Sequence, residues 1–410
     1  MSSRSLTREP DAFAPTRRWL RPTSWPWWVQ VLAVYAVTRL VSGVVLILAA
    51  LHQEATPWTP ASPRYLDYSG KMWDASWYRS IAEGGYLQGL PRDASGLVQQ
   101  SSWAFFPMYP LLARALMLAT GLGWTTVAPT LSLVLGGAAA VVIALLVRSV
   151  LGPEDTRASV GTVLLLGVFP SAVVLQVAYT ESLALLLIAA ALLLIRTRHY
   201  LWASAVVMAL GFTRAVALPM AVVVLVHAVH RWREHRRDEE RIWPAEVASL
   251  GVLGVVSVAA GFAWPALVGI LTGDRNAYTE TQATWRGQQA VVPIRPWFEV
   301  ADWFFGRWGL PLLLVVLIAF TALTFARGTR RLGPEMHGWV AGYLGYLFLA
   351  IEPGSSLFRF MLLAFPFGTV TVRASRARWW IPALVVVGLV GQLVWTYAFW
   401  RLTPPSGWPP

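Results

Sequence analysis

Apolar runs of about 20 residues, the length a helix needs to cross the hydrocarbon core of a bilayer, recur along this chain from residue 27 to residue 400. The run at 125–147 (TTVAPTLSLVLGGAAAVVIALLV) contains no charged residue. In hydrocarbon only helices and closed barrels satisfy every backbone N–H and C=O. A barrel would show ten-residue segments of alternating polarity, whereas these runs are continuous Leu, Val and Ala. The chain therefore reads as an all-α polytopic membrane protein. Composition agrees: of 410 residues, 56% are hydrophobic and 13% charged, about half the charge of an ordinary globular domain. The absence of cysteine excludes disulfide scaffolds, thiolate metal sites and cysteine nucleophiles. The six histidines do not fall in the spacings of zinc hydrolases.

A net charge of +12 raises the question of a nucleic-acid partner, but most of the excess lies in short loops between apolar runs, so no nucleic acid is expected. Residues 1–26 are rich in Arg, Pro and Ser and read as a disordered cytoplasmic tail. The following run is too long for a signal-peptide core and reads as a retained anchor. The membrane domain is expected over 27–402, with an outer tail at 403–410. Eleven spans are expected, at 27–50, 125–147, 159–177, 181–195, 201–212, 215–230, 245–271, 310–325, 338–351, 358–372 and 380–400. The stretch 201–212 is short for a span and is expected to be a helix broken near Arg214. If 106–119 lies in the outer interface without crossing, 20 basic residues fall inside and 12 outside, as the positive-inside rule requires. Crossing inverts that excess. The large loops 51–123 and 272–309 are then outside, and the mixed charge run 231–241 (RWREHRRDEER) is a solvated inner loop.

Candidate chemistry gathers in the outer loops and at the outer helix ends. In WDASWYRSIAEGGY (73–86), Trp73, Trp77 and Ile81 recur at i, i+4 and i+8, predicting a helix with one apolar stripe. Gly84-Gly85 can close it through a left-handed cap. The stripe is expected to lie on the membrane surface with its tryptophans among the headgroups. Asp74, beside the stripe and one turn before Tyr78, would be held near the lipid boundary, where burial raises a carboxyl toward general-base use. Its other role is a cap or loop hydrogen bond. Arg214 and Arg359 stand at outer helix ends, suited to phosphate through a planar two-pronged fork or to snorkelling toward headgroups. Glu181 either complements a helix N-terminus or binds sugar hydroxyls. Tyr278, Gln282 and Trp285 share a helical face fit for acceptor stacking or for packing of the second loop on the first. Arg39, in mid-span, requires a partner, and a structural ion pair is expected. Glu299 and Asp302 lie i, i+3 among aromatics and no DxD-type pair accompanies Asp74, so neither an obligatory metal nor a cofactor is expected.

WDASWYRSIAEGGY followed by AFFPMYPLLARAL (104–116) resembles the signature of membrane mannosyltransferases of the phosphatidylinositol-glycan class V (PIG-V) type, within the wider GT-C glycosyltransferase fold. Phe169-Pro170, Tyr179-Thr180-Glu181-Ser182, Phe212-Thr213-Arg214, Tyr278 with Gln282 and Trp285, and Phe358-Arg359-Phe360 before Phe365-Pro366 continue it in order. Where that family often carries an acid before the FFP motif, this chain has Gln99-Gln100-Ser101-Ser102-Trp103. The resemblance implies a polyprenyl-phosphate sugar as donor, most simply mannose, and a lipid-linked or cell-envelope glycan as acceptor. Transfer would occur on the outer face of the cell membrane, among membrane lipids. It also implies Asp74 as catalytic acid, with Trp73, Tyr78, Tyr109, Glu181, Arg214, Tyr278, Gln282 and Arg359 at the substrates. A lipid or glycolipid transporter, or a GT-C enzyme for another sugar, are the alternatives. A transporter would show inverted repeats and ionisable groups near the midplane, and no repeat is visible.

Overall fold

The computed structural model describes residues 25–237, 240–287 and 292–403, and among these the chain forms helices and no strand beyond an isolated bridge between Arg92 and Val98. All but two residues of the expected tail 1–26, and all but Thr403 of the tail 403–410, lie outside the described residues. In chain order the α-helices are α1 (Trp27–Leu51), α2 (Tyr65–Lys71), α3 (Asp74–Gly84), α4 (Met108–Thr120), α5 (Trp124–Leu151), α6 (Thr156–Gly167), α7 (Glu181–Arg196), α8 (Tyr200–Gly211) and α9 (Pro219–Arg236). They continue with α10 (Pro244–Thr272), α11 (Ala277–Ala283), α12 (Arg295–Phe305), α13 (Gly309–Phe325), α14 (Arg327–Arg330), α15 (Gly333–Ala350), α16 (Leu357–Met361), α17 (Pro366–Ala374) and α18 (Trp380–Trp395).

Among the described residues, five helical stretches are long and apolar enough to cross a membrane: Trp27–Leu51, Trp124–Leu151, Pro244–Thr272, Arg295–Arg330 and Trp380–Trp400. The chain is a membrane protein of all-α architecture. The other expected spans correspond to shorter helices. α8 has 12 residues, about 18 Å at 1.5 Å per residue, and α4, expected not to cross, has 13, against a hydrocarbon core of about 30 Å.

Three expected features resolve into breaks. The stretch 159–177 is helical only to Gly167, and a 3₁₀ turn at Ala172–Gln176 follows Phe169-Pro170. The stretch 358–372 divides into α16 and α17. The break near Arg214 separates α8 from α9. Pro219 and Pro366 each occupy the first turn of the helix after a break, where a missing N–H costs nothing. Buried irregular backbone is tolerated only where protein or water satisfies its polar groups, so the breaks point to a protein-lined polar region.

Packing runs α5 on α7, α7 on α8, α8 on α10, α9 on α15, and α6 on both α1 and α17. α5 buries Ala139, Ala140 and Ala144, and α7 buries Ala184, Ala189 and Ala191, small residues that let helices approach closely without a hydrophobic drive from water. At Gly211 a Cβ would collide with the Ala260 carbonyl oxygen of α10.

Two expectations are corrected within this frame. Arg39 is buried as expected, but its partners are main-chain carbonyls, Gly167 O at 2.6 Å and Ala172 O, with no carboxylate. The Gly167 carbonyl is left open by the end of α6, and Ala172 opens the 3₁₀ turn that follows, so the guanidinium bridges the two sides of the break. The run 231–241 is not uniformly solvated. Arg231 is buried and joined to Glu234, Glu240 and Glu246 at 2.8, 2.8 and 2.9 Å. Nearby, His227 of α9 meets Glu335 of α15 at 2.7 Å, so polar pairs tie α9 to α10 and α15.

Candidate active site

The three breaks bring the charged ends of their motifs together with the start of α3. Arg359 of α16 donates from Nη1 to Asp74 Oδ2 at 2.7 Å, and its Nε lies 3.1 Å from Glu181 Oε1. Arg214, between α8 and α9, donates from Nη1 to the same Glu181 oxygen at 2.8 Å and to Thr180 Oγ1 at 3.0 Å. The result is one chain of alternating charge, Asp74–Arg359–Glu181–Arg214, formally neutral. Its members differ sharply in burial: the side chains are 26% exposed at Asp74, 8% at Arg359, 0% at Glu181 and 12% at Arg214. The pairs compensate the burial of otherwise isolated charges, and Asp74 is the end that reaches solvent. Glu181 Oε2 is buried without a hydrogen-bond partner.

Aromatic faces hold the cations. Arg359 lies 4.9 Å from the Tyr179 ring centroid and Arg214 lies 5.0 Å from that of Phe360, both within cation–π range. The Tyr179 hydroxyl accepts the Asp74 backbone N–H at 3.2 Å, so one tyrosine touches both the acid and the cation.

Asp74 opens α3 directly after Trp73, which adopts φ 54° and ψ −127°. A bulky residue at positive φ is strained, and such strain persists only when its surroundings fix it. Here the Trp73 indole donates to Trp400 O at 2.7 Å and packs 5.3 Å from Trp58. α3 ends at Gly84-Gly85 as expected, but not through a left-handed cap: Gly85 has φ 82° and ψ −168°, an extended conformation open to glycine, and donates to Ile81 O at 2.9 Å. The expected placement of the stripe among headgroups is corrected. Trp73 and Ile81 are buried in protein, and Trp77 stacks on Phe105 at 5.6 Å with Trp285 edge-on at 6.0 Å. The FFP segment and the second loop supply the apolar surface that the stripe would otherwise take from lipid.

Tyr78 faces the Phe105, Tyr109 and Tyr179 rings at 5.4, 5.7 and 6.5 Å. Burial, and then the negative charge of Asp74, push its hydroxyl well above the ordinary phenol range. Tyr109 stands behind it, fully buried, its hydroxyl 2.8 Å from both Ala128 O and Ser132 Oγ. Tyr278 and Gln282 are apart from the charged chain. Gln282 donates to Ala104 O at 3.1 Å and to the Tyr278 hydroxyl at 3.3 Å, and Tyr278 meets Phe106 edge-on at 6.1 Å. That geometry is the packing of the second loop on the first.

The residues that sequence reasoning assigned no role are Tyr179, Thr180, Phe360 and Trp400. The first three adjoin Glu181 and Arg359 within quoted motifs, so adjacency was the available signal. Trp400, 327 residues from Trp73, offered none.

No family model matches the chain, and no curated protein matches it. Among solved structures it is similar to the Archaeoglobus fulgidus oligosaccharyltransferase in complex with zinc and sulfate, at 14% identity and a TM-score of 0.47, over 92% of this chain and 54% of that one. It is also similar to the archaeal oligosaccharyltransferase AglB from Archaeoglobus fulgidus in complex with an inhibitory peptide and a dolichol-phosphate, at 14% identity and a TM-score of 0.45, over 90% of this chain and 55% of that one. The chain thus spans about half the length of these neighbours.

Proposed function

We propose that this chain is a membrane glycosyltransferase of the GT-C kind that moves a sugar, most simply mannose, from a polyprenyl-phosphate carrier to a lipid-linked or envelope glycan. The reaction would take place at the outer face of the cell membrane, without an obligatory metal. The observation that carries the reading is the 2.7 Å contact between a partly exposed carboxylate, Asp74, and a buried guanidinium, Arg359. Glycosyl transfer from a phosphate carrier needs that pair of groups at one place. The acceptor hydroxyl oxygen bonds to the anomeric carbon while its proton passes to Asp74. The bond from that carbon to the phosphate oxygen breaks, and its electrons remain on the phosphate, next to Arg359 and Arg214. General-base help contributes about 10²–10⁴-fold, and oriented cations stabilise the charge developing on the leaving group. The PIG-V-like motifs supply each of these residues, which supports mannose as the sugar. Trp77 and Phe105, stacked on each other and half-buried, supply the aromatic surface near the start of α3 for an acceptor sugar.

The test is transfer from polyprenyl-phosphate mannose in membranes containing wild type or Asp74→Asn. The amide keeps the hydrogen-bonding shape but takes no proton, so a loss of about 10²-fold or more is expected. Near-normal turnover in the variant would return Asp74 to a structural role.

A further inference from the structure

Asp74 is held by Arg359, so a base ready to accept a proton and a cation ready to accept phosphate are here occupied with each other. We propose that the phosphate of the donor displaces Asp74 from Arg359, so that the base becomes free only when a donor is bound. The inference rests on the glycosyltransferase reading above and adds an order of events to it.

Arg359 has two carboxylate partners on different edges of its guanidinium, and they are not equivalent. Glu181, fully buried, sits at Nε and also receives Arg214, so neither arginine can leave it without stranding a charge inside protein. Asp74 sits at Nη1 and is the exposed member of the four. An anion arriving from solvent or from the lipid face therefore meets Asp74 first. Arg359 stays fixed from behind by Glu181 and by the Tyr179 face. The replacement is chemically even: Nη1 exchanges one singly charged oxygen acceptor for another, and Asp74 regains water. Asp74 is held here through Nη1 alone, whereas a phosphate at the vacated edge can accept from two guanidinium N–H groups at once.

Charge balance makes the exchange necessary as well as possible. The four side chains sum to zero, so a phosphate added without displacing Asp74 would crowd three anions around two cations in a largely buried region. Like charges in such surroundings disfavour one another strongly. Before the donor arrives, the paired carboxylate does not activate a hydroxyl. Afterwards, it stands beside the phosphate that has displaced it, within a few ångströms of where an anomeric carbon on that phosphate must lie. The Asp74 backbone stays anchored throughout by its N–H to the Tyr179 hydroxyl.

The experiment measures binding, not turnover. The full chain in nanodiscs is titrated calorimetrically with a short-chain polyprenyl monophosphate, with the matching polyprenyl alcohol and with inorganic phosphate, for wild type, Asp74→Asn and Asp74→Ala. Alanine is included because it leaves no amide to re-engage the guanidinium, and either variant suffices. Removal of the competing carboxylate should tighten polyprenyl-phosphate binding by roughly tenfold, the scale of one charge-assisted hydrogen bond, and leave the alcohol unchanged. Binding equal to or weaker than wild type in the variants overturns the exchange, since a merely structural ion pair would give that result. Tightening seen for inorganic phosphate but not for the lipid also overturns it. Failure of the glycosyltransferase reading is separate, because it appears as absence of sugar transfer in wild type whatever the binding results.

Discussion

Replacing Arg359 by lysine keeps the charge and removes the fork, and the geometry sets the expected loss. The guanidinium reaches Asp74 through Nη1 at 2.7 Å and Glu181 through Nε at 3.1 Å while lying against Tyr179. A lysine ammonium is a compact charge on a flexible stem and cannot hold both directions in one plane. It therefore forfeits at least one charge-assisted contact in the resting site and the two-pronged grip on phosphate in the transition state. One such contact is worth about 1.5–3 kcal/mol, or roughly 10- to 100-fold in kcat/KM. Arg359→Ala should be worse, because Glu181 then keeps only Arg214. Transfer from polyprenyl-phosphate mannose is assayed across donor concentrations at equal membrane abundance, and both KM and kcat should suffer, since charge builds on the phosphate as the bond breaks. If Arg359→Lys matches wild type and Arg359→Ala loses little, Arg359 serves the lipid interface and Arg214 becomes the phosphate group.

Glu181→Ala leaves the buried Arg359 and the half-buried Arg214 without their shared partner, so a destabilisation of about 3–5 kcal/mol is expected, read as a fall in the melting temperature of the purified chain. Glu181→Gln, which keeps the shape, should fall less, and an unchanged melt in both would remove Glu181 from its central position. The topology is checked by cysteine labelling in the naturally cysteine-free chain. Ala94→Cys should react with an impermeant reagent outside intact cells and Arg236→Cys should not. Labelling of both positions from outside makes residues 106–119 a span.

The helical class was legible because membrane solvation acts residue by residue, and a charge-free run such as 125–147 has few other fates. Glu181, Arg214, Asp74 and Arg359 were also legible one at a time, as charged residues near apolar ends. Their convergence was not, since it depends on where α7, α9 and α16 begin after breaks, and tertiary packing decides that. Arg39 shows the limit from another side. The sequence demanded a partner and an acid was the natural expectation, but the open Gly167 carbonyl exists only because α6 stops there. The Trp73 stripe was read correctly as apolar and assigned to lipid, because nothing local announces that Phe105, Trp285 and Trp400 arrive to cover it.

The most direct test of the central claim is an experimental structure of the full chain in nanodiscs with a polyprenyl phosphate bound. The account predicts the phosphate within hydrogen-bonding distance of Arg359, with Arg214 adjacent and Asp74 turned away from the guanidinium toward the acceptor side. A lipid phosphate bound elsewhere, with the Asp74–Arg359 pair still closed, would contradict it.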